Sequence, residues 1–200
     1  HFLIDGNLMR RLVESAEIGA DDVVLEVGPG TGGLTDLLVS RAKQLICVEI
    51  DRDLFALLSE RFRNQPNIEL ICSDVLDGKH NINPVVASSI REWGNSGPLK
   101  LVANLPYDIA TPLLMNLLLD YPTVRSFCFT VQAEGGERIA APAGSKVYGP
   151  LSIIAQNLCV VEQVARLGPG SFWPRPQVDS VMLRLDRLDH PAIATEYAKR

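Results

Sequence analysis

The chain has 200 residues, of which 46% are apolar and 22% charged, and its net charge is −5. That size suits one ordinary domain with a short tail, and the balance is that of a globular protein rather than a disordered or fibrous one. No apolar run reaches the ~18 residues of a membrane span, and the acidic balance excludes a broad basic footprint for nucleic acid. The charge is uneven: residues 1–100 carry ten basic and fifteen acidic side chains, and residues 101–200 carry nine of each.

Residues 7–17 have helical spacing, with Leu8, Leu12 and Val13 on one face. Residues 22–27 (DVVLEV) read as a buried strand, followed by glycines and then a helix over 34–42. A strand over 44–50, a helix over 53–63 and a strand over 68–72 come next. Residues 78–98 are polar and irregular, with a helix expected across 85–93. A strand at 99–103, a helix at 111–119 with Pro112 in its first turn, and a strand at 126–131 continue the alternation. Helices over 134–140 and 149–158 precede late strands at 160–167 and 178–185. Gly135-Gly136 falls inside the first of those helices, where each glycine costs roughly 1 kcal/mol relative to alanine. Strands alternating with helices predict an α/β fold, a parallel sheet covered on both faces. The last two strands have no helix between them and are expected to form an antiparallel hairpin at the sheet edge.

Cys47, Cys72, Cys128 and Cys159 each sit in an apolar run, and no pair has metal or redox spacing. They are expected to be core thiols of a reducing compartment, which points to the cytoplasm. His1, His80 and His190 are scattered, so no metal site is expected. The chain opens on His1 rather than Met, so residues preceding it are expected in the whole protein.

The turn Glu26-Val27-Gly28-Pro29-Gly30-Thr31-Gly32-Gly33 sits between a strand and a helix. Glycines there allow a tight turn and close approach to a ligand. Gly28-x-Gly30-x-x-Gly33 also matches a dinucleotide fingerprint, with Glu49 where a ribose-binding carboxylate belongs, so an NAD-dependent dehydrogenase competes. Three features favour S-adenosylmethionine. Glu26 precedes the glycines by two residues, Gly28-x-Gly30-x-Gly32 has the methyltransferase shape, and Cys72-Ser73-Asp74-Val75 ends a strand with a carboxylate able to accept from an adenine amine. Asp74 alone also reads as a turn cap, and Glu49 as a strand end.

The tetrapeptide Asn104-Leu105-Pro106-Tyr107 ends the strand at 99–103. It offers a carboxamide, backbone carbonyls, a rigid turn and an aromatic face, a set suited to a planar base carrying an exocyclic amine.

With these motifs in order, the chain resembles the ribosomal RNA adenine dimethyltransferase family over nearly its whole length. His1-Phe2-Leu3-Ile4-Asp5 resembles the family's opening segment, which folds over the cofactor. The glycine turn and Val48-Glu49-Ile50-Asp51 resemble its cofactor motifs, and Asn104 to Tyr107 its catalytic motif. Val131-Gln132-x-Glu134-x-x-x-Arg138 and Ser145-Lys146-x-Tyr148-Gly149 are similar to segments of its small-subunit branch, and Phe172-x-Pro174-x-Pro176-x-Val178-Asp179-Ser180 resembles the family's late loop. The resemblance implies a class I S-adenosylmethionine-dependent methyltransferase domain over 1–186, with 187–200 as the start of a C-terminal helical extension. It implies cofactor contacts from His1, Leu3, Glu26, Gly28, Gly30, Glu49, Asp74, Val75 and Asn104. It implies catalysis by Asn104, Leu105, Pro106 and Tyr107, with Tyr107 and Phe172 sandwiching a flipped adenine. The partner it implies is ribosomal RNA in an immature small subunit, met by a monomer. Three alternatives stand beside it: a resistance-type methyltransferase of large-subunit RNA, the dehydrogenase, and a noncatalytic assembly factor on the same fold.

Overall fold

The computed structural model describes residues 1–191. In chain order the elements are β1 (Phe2–Leu3), α1 (Gly6–Ser15), β2 (Val23–Val27), α2 (Gly33–Val39), β3 (Gln44–Glu49), α3 (Arg52–Arg61) and β4 (Ile68–Cys72). They continue with α4 (Pro84–Gly94), β5 (Leu99–Asn104), α5 (Ala110–Asp120), β6 (Val124–Gln132), α6 (Ala133–Ile139), α7 (Pro150–Leu158) and β7 (Cys159–Leu167). A single 3₁₀ turn at Pro169–Ser171 leads to β8 (Phe172–Trp173), and β9 (Ser180–Arg187) follows.

The main sheet has the order β4-β3-β2-β5-β6-β9-β7. β2 to β6 run parallel; β9 is antiparallel to β6, and β7 to β9. The expected edge hairpin therefore forms, with its second strand inserted next to β6. Side chains alternate with the period of two that strands impose. Val23, Leu25 and Val27 join a core with α4, α5 and α7, whereas Val24 on the other face packs with Leu12 and Val13 of α1 and with Leu34 and Leu38 of α2. Both faces are covered, which is why the parallel strands are apolar throughout.

The helices start where the sequence supplies acceptors. Asp5 accepts from the Asn7 and Leu8 amides, Asp51 from Asp53 and Leu54, and Asn83 from Val85 ahead of Pro84. Gly136 survives inside α6 for a packing reason: a Cβ there would lie 2.1 Å from Val181 Cγ2 of β9. The helix accepts the propensity cost to approach the sheet. The smaller sheet, β1 paired antiparallel with β8, was not expected from the sequence. It ties the opening segment to the late loop.

β9 ends one residue beyond the expected domain boundary, and Arg187 shows why. Its guanidinium donates to the carbonyls of Val124, Leu118, Leu117 and Tyr121, at 2.9 to 3.5 Å, and lies 6.0 Å from the Phe127 ring centroid. It thereby satisfies the open C-terminal carbonyls of α5. Residues 192–200 of the expected extension lie outside the described residues.

Arg187→Ala is expected to lower unfolding free energy by about 2–3 kcal/mol, the range for hydrogen bonds to a charged group. Arg187→Lys restores only part, because one ammonium cannot span the carbonyls a planar fork reaches. Urea unfolding of the three proteins checks this, and an alanine variant as stable as wild type refutes it.

Candidate active site

The strand order reverses between β2 and β5, and the cleft lies outside the carboxyl ends of the strands there, as open α/β sheets require. Two hollows adjoin at Gly28. The larger, 180 Å³, is walled by Gly28, Glu49, Ile50, Asp74, Val75 and Pro106. The smaller, 30 Å³, is walled by Phe2, Leu3, Glu26, Gly28 and Asn104. The fold thus brings together Leu3, Glu26, Gly28, Glu49, Asp74, Val75 and Asn104, which are scattered over a hundred residues of chain.

Gly28 and Gly30 have φ of +69° and +59°, in the left-handed region that favours glycine. A Cβ on Gly30 would lie 2.6 Å from the Phe2 ring, and one on Gly28 would lie 3.3 Å from Pro106 Cγ. The space these glycines free is thus taken by the chain's own Phe2 and Pro106. The Gly30 amide donates to Glu49 Oε2 at 3.0 Å, and the Asp51 amide donates to Oε1 at 3.0 Å. Each carboxylate oxygen keeps a further lone pair, and Glu49 lines the larger hollow. Asp74 Oδ1 accepts from the Leu76 amide at 2.9 Å, so the turn-cap reading holds for one oxygen, and Asp74 lines the larger hollow.

Glu26 is 1% exposed on the α2 side of β2. Its Oε2 accepts from Thr35 Oγ1 at 2.8 Å and from Cys47 Sγ at 3.4 Å. Burial raises its pKa to about 7, against the pull of those two bonds and with a smaller push from the carboxylates of Glu49 and Asp36. Burial likewise pushes the Cys47 thiol well above its ordinary value. Glu26 therefore ties β2 to α2 and β3 beside the turn.

Asn104 is fixed at both ends of its carboxamide. Nδ2 donates to the His1 carbonyl at 3.0 Å, and Oδ1 accepts from Thr130 Oγ1 at 2.5 Å. A carbonyl can only accept, so the first bond identifies the nitrogen and settles the orientation. Thr130, fully buried on β6, was missed by the sequence reading; a threonine within an apolar strand reads as packing. Among the described residues no donor reaches the Leu105 carbonyl, while the Leu105 amide donates to the Thr130 carbonyl at 3.2 Å. The Tyr107 hydroxyl shares a 2.8 Å hydrogen bond with Ser180, and its ring centroid lies 5.7 Å from that of His1. His1 reaches the late loop as well, Nδ1 donating to the Pro174 carbonyl at 2.6 Å. Phe172 is placed differently from the expected sandwich. It is 3% exposed, in the apolar cluster with Leu12 and Met182, while its neighbour Trp173 is 64% exposed.

Among the described residues no cluster of His, Cys, Asp or Glu is arranged to hold a metal, and no helix is long and apolar enough to cross a membrane. The cleft residues fit an adenosyl cofactor: a paired carboxylate with spare lone pairs at Glu49, an acceptor at Asp74, and apolar walls at Ile50 and Val75. Fold and cleft define a class I S-adenosylmethionine-dependent methyltransferase.

Comparison with known proteins narrows the class. Residues 1–200 match the family described as ribosomal RNA adenine dimethylase. Ribosomal RNA small subunit methyltransferase A of Clostridium botulinum is 38% identical over 199 residues, covering 100% of this chain and 69% of that protein. The crystal structure of the 23S rRNA methyltransferase ErmE superposes with a TM-score of 0.80 at 30% identity, covering 100% of this chain and 75% of that one. A dimethyladenosine transferase from Plasmodium falciparum gives 0.79 at 29% identity, over 94% of this chain and 64% of that one. The chain belongs to the ribosomal RNA adenine dimethylase family and spans roughly two thirds of the length of these relatives.

The Glu26 carboxyl gives a pH signature. A pKa raised on folding means that stability is fully present below the unfolded value of about 4.5 and is lost as pH rises through about 7. The full loss is about 3 kcal/mol. Glu26→Gln, a neutral isostere, is therefore expected to gain on wild type by up to about that amount between pH 5 and pH 8. Urea unfolding across that range tests it; a gap independent of pH would show that Glu26 does not titrate there.

Proposed function

We propose that this chain transfers methyl groups from S-adenosylmethionine to N6 of adenosines in small-subunit ribosomal RNA, two per adenosine. We place the reaction in the cytoplasm, on an immature subunit met by a monomer. The observation that carries the chemistry is the fixed Asn104 carboxamide, whose oxygen is held in place by Thr130 and keeps a second lone pair for an amine. Support for the small subunit comes from the 38%-identical relative of that name and from the Ser145-Lys146-x-Tyr148-Gly149 segment.

The adenine N6 amine is a weak nucleophile because its lone pair is delocalised into the ring. S-adenosylmethionine, when bound, supplies a methyl group on an electrophilic sulfonium. The chain supplies orientation. Asn104 Oδ1 and the Leu105 carbonyl accept the two amine hydrogens and localise the lone pair toward the methyl. Pro106 stiffens the turn that presents both acceptors. The Tyr107 ring, anchored through Ser180, gives the extruded base a stacking face worth ~1–3 kcal/mol, against an extrusion cost of a few kcal/mol. Phe172, buried in the core, supplies no second face, so Tyr107 stacks on one side of the base only. The leaving proton passes to solvent, so no strong base is required.

ErmE, alike over the whole chain, supports a second reading, large-subunit RNA as the substrate. Incubation with immature small subunits, and separately with large-subunit RNA, using radiolabelled S-adenosylmethionine and nucleoside analysis, decides between them. Label in N6,N6-dimethyladenosine of small-subunit RNA is expected; label confined to large-subunit RNA selects the second reading. No label from folded, cofactor-binding protein overturns both.

Asn104→Ala is expected to abolish turnover in that assay while the protein stays folded by circular dichroism. Thr130→Val removes only the hydroxyl that holds Oδ1. It is expected to lower kcat roughly fivefold, the equivalent of one ordinary hydrogen bond, with KM for the subunit unchanged and recovery in Thr130→Ser. A serine variant as impaired as the valine variant would show that packing, not the hydroxyl, matters.

A further inference from the structure

Trp173 is the second most exposed large apolar side chain among the described residues, at 64%. Its neighbour Phe172 is buried, as strand alternation demands, so the indole points away from the core. An exposed tryptophan at a frayed loop tip would mean little. This one is held in place: β8 pairs with β1, setting Trp173 opposite Phe2, and the Ile4 amide donates to the Ser171 carbonyl at 2.9 Å. On its other side the Pro174 carbonyl accepts from His1, whose own carbonyl holds Asn104 and whose ring flanks Tyr107. Trp173 is thus one residue from Pro174, whose carbonyl holds His1, and His1 is the group that touches both the Asn104 carboxamide and Tyr107. Arg175, exposed and two residues further on, has no acidic partner among the described residues.

We propose that Trp173 is a stacking platform for the nucleobase flanking the target adenosine, with Arg175 contacting the adjoining phosphate. This rests on the RNA reading above and adds a subsite to it. Extruding one base leaves its neighbour without a stacking partner, and a rigid indole at the mouth replaces that partner without sequence preference. The unpaired guanidinium favours a polyanion over an apolar protein segment as the occupant.

Trp93 and Trp173 are the two tryptophans of the chain, so Trp93→Phe leaves the indole of interest as the sole reporter. Titration of that variant with a short oligoadenylate is expected to quench its fluorescence, whereas heparin, a polyanion without bases, does not. Trp173→Ala is expected to raise KM for immature small subunits at least about fivefold, with kcat, melting temperature and the calorimetric Kd for S-adenosylmethionine unchanged. Trp173→Phe keeps most of the affinity. Equal quenching by heparin, no quenching by oligoadenylate, or an unchanged KM in Trp173→Ala overturns the platform. Wild-type protein run alongside separates the two ideas: if it labels no adenosine, the functional reading fails; if it labels and Trp173→Ala matches it, the platform alone fails.

Discussion

A side chain at residue 30 would stand 2.6 Å from the Phe2 ring, and much of the site hangs on its absence. With Phe2 seated on the glycine turn, β1 can pair with β8, which sets Leu3 opposite Phe172. The same seat places the His1 carbonyl within 3.0 Å of Asn104 Nδ2. The Gly30 amide meanwhile holds one oxygen of Glu49. One bare Cα therefore joins the Glu49 carboxylate, the opening segment and the Asn104 carboxamide. Each hydrogen bond contributes only about 1 kcal/mol net, so what the arrangement secures is mutual position more than stability.

The acidic balance of the chain gains a meaning once the basic groups are located. In residues 101–191, Arg125, Arg138, Arg166 and Arg184 face carboxylates, and Arg187 is spent on backbone carbonyls. Besides Arg187, Lys146 and Arg175 are the Lys and Arg side chains of that half that meet no carboxylate among the described residues. Few free cations mean few phosphate contacts and a shallow salt dependence of binding. Under the proposed function, recognition by this part of the chain would rest on stacking and shape, the mode suited to extruded or single-stranded bases.

The main sheet was legible because buried parallel strands leave long apolar runs and the intervening helices keep their caps and spacing. The cleft was legible for a related reason: ligands bind where strands end, so motifs at strand ends converge even when far apart in sequence. The ribbon of β1 and β8 was not, since two residues per strand carry no periodicity. Thr130 was hidden because its hydroxyl matters only through a partner 26 residues away. The glycine pair at 135 and 136 read as a weakness in a helix, yet Gly136 is the price of close packing on Val181. Phe172 was recognised as part of a motif, but its burial depends on the register of β8, which no local pattern contains.

The fixed amide of Asn104 shows how distant parts of this chain reach the chemistry. Its two faces are similar in shape and opposite in function: an oxygen accepts from an amine, and an NH₂ group meets that amine's hydrogens donor against donor. Packing alone distinguishes them poorly. The distinction is made by the His1 carbonyl, which accepts from the nitrogen, and by Thr130, which donates to the oxygen. The first of these partners arrives with the seated opening segment and the second with a core strand. A substitution that unseats Phe2 would therefore act on the Asn104 carboxamide from a distance, because it removes the partner that tells the nitrogen of Asn104 from its oxygen.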